Sequence, residues 1–150
     1  MKLSTKGRYG LRALIDLALY SENETVSIQS IARRQNISDS YLEQLMRKLR
    51  SAGLIVSVRG AQGGYKLARP ANEISVGDVL RALEGSLEAV TCGGEDNSCQ
   101  GADLCVTKFV WEQINSSIRD TVDSIKLSQL VEESRLMREK GQIQVQKCDN

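Results

Sequence analysis

Three of the four cysteines in this 150-residue chain, Cys92, Cys99 and Cys105, fall within fourteen residues. Six and then five residues separate them, and Gly93, Gly94 and Gly101 lie between. Glycines let a loop fold back on itself and leave amide N–H groups able to face sulfur. Three thiolates from one such loop form a soft donor set, suited to an iron–sulfur cluster, zinc or Cu(I). The spacing is neither the paired C-x₂-C of zinc ribbons nor a ferredoxin run. The residues alone leave an iron–sulfur site, a zinc site and a thiol redox sensor open, while the clustering argues against incidental free cysteines. The chain has no histidine. That excludes Ser/His/Asp and Cys/His catalysis and every histidine-containing metal site, so an enzyme is not expected.

A second chemistry is written in the charge. The chain is nearly neutral at +1, but residues 1–70 carry 12 Lys and Arg against 5 Asp and Glu, a balance of +7, and residues 71–150 carry 8 against 14, a balance of −6. A basic half joined to an acidic half suggests a nucleic-acid-binding unit attached to a unit with another task. No run of about 18 apolar residues occurs, so no membrane span is expected. The start, MKLSTKGRYG, lacks the apolar run of a signal peptide. A cytoplasmic location follows as an expectation, and in that reducing compartment the cysteines are poor candidates for structural disulfides.

The elements that must position these residues can be read from periodicity and caps. Leu11, Leu14, Ile15 and Ala18 place a helix over 5–21. Lys2, Lys6, Arg8 and Arg12 crowd its start, where positive charge is unfavourable and an external anion such as phosphate would give relief. A short helix from Ile28 to Gln35, capped by Ser27, is followed by a tight turn at Asn36-Ile37. A third helix runs from about Ser38 to Ala52, with Leu42, Leu45 and Leu49 as its buried stripe. Ser40 fits a capping box with Glu43, and Ser38 is an equally good N-cap. Two short helices joined by a tight turn form a helix-turn-helix. Leu54–Val58 and Tyr65–Leu67 read as strands around the glycine-rich basic tip Arg59–Gly64, a wing. Ser75 and Asp78 begin another helix, and Val106 to Ser124 reads as a long one, with Val110, Ile114, Ile118 and Val122 repeating every four residues. Few elements remain to cover that stripe, so a partner chain is a candidate. Leu127 to Met137 forms a terminal helix capped by Ser128.

The fold expected is therefore mainly α with a small β-hairpin wing: a winged helix-turn-helix over 1–70, a cysteine loop and dimerisation helices over 71–137, and a disordered tail over 138–150. In a helix-turn-helix, residues near the start of the second helix meet base edges. Here these are Ser38, Asp39, Ser40, Tyr41, Glu43 and Gln44. Glutamine suits adenine, glutamate the cytosine amino group, and hydroxyls suit phosphates. Arg59 with Gly60 at the hairpin tip suits a narrow minor groove, and Lys6 and Arg8 suit the backbone. The partner expected is double-stranded DNA.

The runs KGRYGLRALIDLAL and ISDSYLEQLMRKLRSAGLIVSVRGAQGGYKL, and the cysteine loop followed by VTKFVW, closely resemble the IscR-type iron–sulfur-cluster regulators. These winged-helix transcription factors are relatives of the nitric-oxide sensor NsrR and of CymR, whose members lack the three cysteines. The resemblance implies a homodimer joined through the long helix and a palindromic operator. It implies a [2Fe–2S] cluster on Cys92, Cys99 and Cys105, favoured over [4Fe–4S]. It also implies base reading by Ser40, Glu43 and Gln44, with Arg59 in the minor groove. The function implied is cluster-sensing control of cluster-assembly genes. A nitric-oxide-sensing repressor, or a zinc or thiol switch on the same scaffold, is the alternative. One position departs from the pattern: the type carries a histidine ligand three residues after the last cysteine, where this chain has Lys108. Neutralising a lysine of ordinary pKa at pH 7 costs about 4.6 kcal/mol before any metal bond forms. Lys108 is thus expected as a counter-charge, with Glu95, Asp96, Asp103, Cys148, a partner chain or a small thiol as candidates for the fourth ligand.

Overall fold

The structure, a computed structural model, describes residues 2–92, 99 and 104–141. Its order is α1 (Thr5–Tyr20), α2 (Ile28–Gln35), α3 (Asp39–Ser51), β1 (Ile55–Val58), β2 (Gly64–Leu67), a 3-10 turn (Ala71–Glu73), α4 (Val76–Glu84), α5 (Lys108–Ser124) and α6 (Leu127–Glu139). The expected winged helix-turn-helix is present, and most of its boundaries are set by local chemistry. The Ser27 hydroxyl accepts the Ser30 amide at the start of α2, and Asn36 ends that helix in the left-handed region at φ 53°. That turn lets α3 begin at once. Its cap is Ser38, whose hydroxyl accepts the Tyr41 amide at 3.2 Å. Ser40 is thereby relieved of the capping role and stays exposed with Glu43. Ser75 and Asp78 form the reciprocal capping box that starts α4.

Leu14, Leu17, Ile31, Leu42, Leu45, Met46, Leu49, Leu54, Ile55, Ile74, Leu83 and Leu127 are fully buried. At roughly 1.5–3 kcal/mol for each such side chain removed from water, this core is the main support of the reading helices. It is drawn from α1 to α4 and α6 together. Asp16 is buried within it, and its carboxylate accepts from Arg34 at 2.6–3.1 Å and from Gln35 at 2.9 Å, so the buried charge is paired. The hairpin pairs Ile55 with Leu67 and Val58 with Gly64. Reciprocal backbone bonds between Val26 and Tyr65, at 2.8 and 2.9 Å, dock it on the α1–α2 loop. Any side chain at Gly64 would meet the Val26 carbonyl oxygen at 2.6 Å, which is why this close approach needs glycine.

Three expectations are corrected. The long helix begins at Lys108 rather than Val106. Helix α6 is not capped by Ser128: the Gln129 side chain accepts the Lys126 amide at 2.7 Å, because a glutamine at the third helical position can reach back where Ser128 cannot. The α5 stripe splits into two halves. Ile118, Val122 and Ile125 pack on the cluster of Val76, Leu80 and Leu87, whereas Phe109, Val110 and Ile114 remain exposed. Helix α6 continues to Glu139, and residues 142–150 of the expected tail lie outside the described residues.

Candidate nucleic-acid interface and cysteine loop

Ser38, Ser40, Glu43 and Gln44 are all exposed on the first turns of α3. Tyr41 differs. It is half-buried, its ring stands edge-on to Tyr9 at 6.1 Å, and its hydroxyl donates to the Thr5 hydroxyl at 3.3 Å. Its position braces α3 against α1 rather than turning the phenol wholly outward. Arg59 and Gly60 are exposed at the wing tip. Gly60 takes φ 116°, a conformation glycine adopts at no steric cost, and its carbonyl accepts the Gly63 amide at 3.0 Å. The Thr25 hydroxyl donates to the Gln62 carbonyl at 2.6 Å and so ties the wing loop to the body.

Lys6 is exposed and Arg8 half-buried at the start of α1. One anion at this helix start is supplied from within the chain. Glu84, at the end of α4, accepts the Ser4 amide at 2.9 Å, the Ser4 hydroxyl at 2.7 and 2.9 Å, and the Gly7 amide at 2.9 Å. Burial alone would raise this carboxyl, but the Ser4 hydroxyl, the Gly7 and Ser4 amides and nearby Lys6 outweigh it and hold the group below its ordinary value. Local sequence carries no signal for this contact, since the partners lie 77 to 80 residues apart.

Cys92, Cys99 and Cys105 are free and exposed. The Ala89 amide donates to Asn115 Oδ1 at 2.8 Å, and Asn115 Nδ2 donates to the Val90 carbonyl at 2.9 Å. Helix α5 thus clamps the chain two residues before Cys92, beside a cleft of about 130 Å³ that Cys92 lines with Trp111 and Arg119. At the other end, Cys105 lies at the approach to α5, its carbonyl accepting the Lys108 amide at 3.2 Å. The Thr107 hydroxyl, 3.1 Å from the sulfur, and then the Lys108 and Thr107 amides hold the Cys105 thiol below its ordinary pKa. Three accessible thiols, one already biased towards thiolate, fit the donor chemistry of an iron–sulfur cluster. Among the described residues no three Cys, His, Asp or Glu side chains are gathered as a metal-ligand group. Glu95, Asp96, Asp103 and Cys148 lie outside the described residues. The Lys108 ammonium faces Glu112 at 3.9 Å along its own helix. No helix among the described residues is long and apolar enough to cross a membrane.

Comparison with known proteins agrees with the fold. Residues 3–133 match the family described as "Rrf2: Iron-dependent Transcriptional regulator". A "HTH-type transcriptional regulator IscR" of Pectobacterium atrosepticum is 44% identical over 137 residues, covering 91% of this chain and 83% of the relative. The solved structure of T. potens IscR is 45% identical, with a TM-score of 0.72, covering 96% of this chain and 93% of that one. CymR of B. subtilis, described as the global cysteine regulator, is 38% identical with a TM-score of 0.74, covering 89% and 98%.

Proposed function

This chain belongs to the Rrf2 family of iron-dependent transcriptional regulators, and on that premise we propose that it senses an iron–sulfur cluster on Cys92, Cys99 and Cys105 and reads a palindromic operator as a homodimer. It is a DNA-binding transcriptional regulator and not an enzyme, as its family and its IscR relatives are. The resemblance to IscR-type regulators seen in the sequence holds over 91% of the chain.

The observation that carries the proposal is the pairing of two exposed reading elements on one buried core. The start of α3 offers Ser40, Glu43 and Gln44, and the wing offers Arg59 and Gly60, while the backbones behind both are held by buried side chains and short hydrogen bonds. The α3 residues enter the major groove, Arg59 the minor groove, and Lys6, Arg8, Ser38 and Tyr41 lie towards phosphates. The uncovered half of the α5 stripe, with Phe109 71% exposed, supports a second copy of the chain as its partner. Two copies related by a two-fold axis read half-sites about one helical turn apart.

Cys92, Cys99 and Cys105 would hold the cluster, which would supply an oxidisable group between α4 and α5. The likeness of the loop spacing and VTKFVW to the IscR type favours [2Fe–2S] over [4Fe–4S], and the genes of cluster assembly are the proposed targets. Such chemistry belongs in a reducing cytoplasm. With Lys108 turned to Glu112, the fourth ligand comes from elsewhere, and an incomplete protein ligand set suits a labile sensor. A thiol switch on the same scaffold is the second reading, favoured by one observation: the exposed Cys105 thiol is held below its ordinary pKa by Thr107.

The reading surface is tested with duplexes enriched from a random pool by the wild-type protein. Gln44→Ala and Arg59→Ala should each weaken binding by about 1–3 kcal/mol, and sedimentation should show two chains on each duplex. Wild-type affinity in both variants across several salt concentrations would show that the reading surface is elsewhere, and one chain per duplex would remove the dimer.

A further inference from the structure

We propose that Glu84 is the positioning residue that couples the cysteine segment to the reading head. Helix α4 ends in two residues that both reach outside it. The Leu83 carbonyl accepts the Lys48 ammonium of α3 at 3.1 Å. The Glu84 carboxylate gathers the amides of Ser4 and Gly7 and the Ser4 hydroxyl at the start of α1. A Cβ at Gly7 would stand 2.7 Å from Glu84 Oε1, so the glycine is what lets the carboxylate reach the helix end. The next residue after Ser4, Thr5, accepts the Tyr41 hydroxyl, and Tyr41 shares the first turn of α3 with Ser40, Glu43 and Gln44.

On its other side, Glu84 is eight residues from Cys92, and the path between them is anchored. Gly85 turns the chain at φ 85°, Leu87 is buried with Val76 and Leu80, and Asn115 clamps Ala89 and Val90. A displacement at Cys92 is therefore resisted by α5 and passed back along a short, pinned stretch to the end of α4. From there the charge-assisted bonds of Glu84 are a direct link to α1, and through Thr5 to α3. The inference rests on the DNA-reading half of the proposed function and requires no cluster.

Coupling between two sites is reciprocal, so DNA held by α3 must alter the cysteine segment. The test uses the cluster-free full-length chain. The rate of Cys92 alkylation by iodoacetamide is followed by mass spectrometry with and without a saturating duplex enriched by the wild-type protein. In the wild type the duplex should change this rate by about fivefold or more, the lower range of ordinary coupling. In Glu84→Gln and Glu84→Ala the ratio should fall to about one, and Glu84→Asp should restore part of it. Ser75→Ala removes a cap from the same helix without touching the link, and should keep the wild-type ratio despite lower stability. If Glu84→Ala does not fold, Glu84→Gln carries the test. A wild-type ratio of about one, or an undiminished ratio in Glu84→Gln, overturns the proposal. Iron and sulfide analysis of anaerobic protein decides the cluster reading separately, and a negative result there leaves the alkylation ratio in force.

Discussion

The reading head and the cysteine segment are built on opposite plans. In the reading head, each exposed residue stands on hidden support: Ser40, Glu43 and Gln44 rise from a helix whose other face is Leu42, Leu45, Met46 and Leu49, all at most 1% exposed. In the cysteine segment, the three thiols are exposed, and the described supports are a few hydrogen bonds, to Asn115 at one end and Thr107 at the other. The first plan suits a surface that must keep one shape to discriminate bases. The second leaves its thiols open to solvent. Glu84 lies where the two plans meet.

Leu45→Ala should cost about 2–5 kcal/mol in urea unfolding, because it opens a cavity in a core shared by α1 to α4 and α6. Cys99→Ala in the cluster-free chain should change stability by less than about 0.5 kcal/mol, since the side chain is exposed. Equal costs would mean that the cysteine segment is part of the folding core.

A smaller effect should appear with pH. The folded Glu84 carboxyl binds its proton less tightly than the unfolded one, so its contribution is fully present above the ordinary glutamate range of about pH 4.3. That contribution is lost as the pH falls through the lower folded value. Unfolding curves from pH 6 down to about 3 should therefore show a loss of stability that is reduced in Glu84→Gln. An identical loss in the variant would show that other carboxylates account for it.

The contrast between the regions also explains what was legible in the sequence. Ser27, Ser38 and Ser75 cap helices through bonds to residues three positions on, so spacing alone marks them. Glu84 at the α1 terminus and Asn115 on residues 89–90 join distant parts of the chain, and no local pattern reports such contacts. The α5 stripe looked continuous because hydrophobic period is blind to what covers it. Only packing shows that Ile118 and Val122 are covered from within while Val110 and Ile114 are not. The basic start of α1 signalled a need for an anion but not its source. The candidate cysteines stand out by residue type, and Glu112 is the partner that spacing along a helix allows Lys108.

Whether Cys92, Cys99 and Cys105 hold an iron–sulfur cluster is decided by Mössbauer spectroscopy of ⁵⁷Fe-labelled protein purified anaerobically, with iron and sulfide analysis. A [2Fe–2S] spectrum is expected in the wild type and its loss in Cys92→Ala, Cys99→Ala and Cys105→Ala. A colourless protein carrying stoichiometric zinc, or a cluster signal unchanged in those three variants, would contradict it.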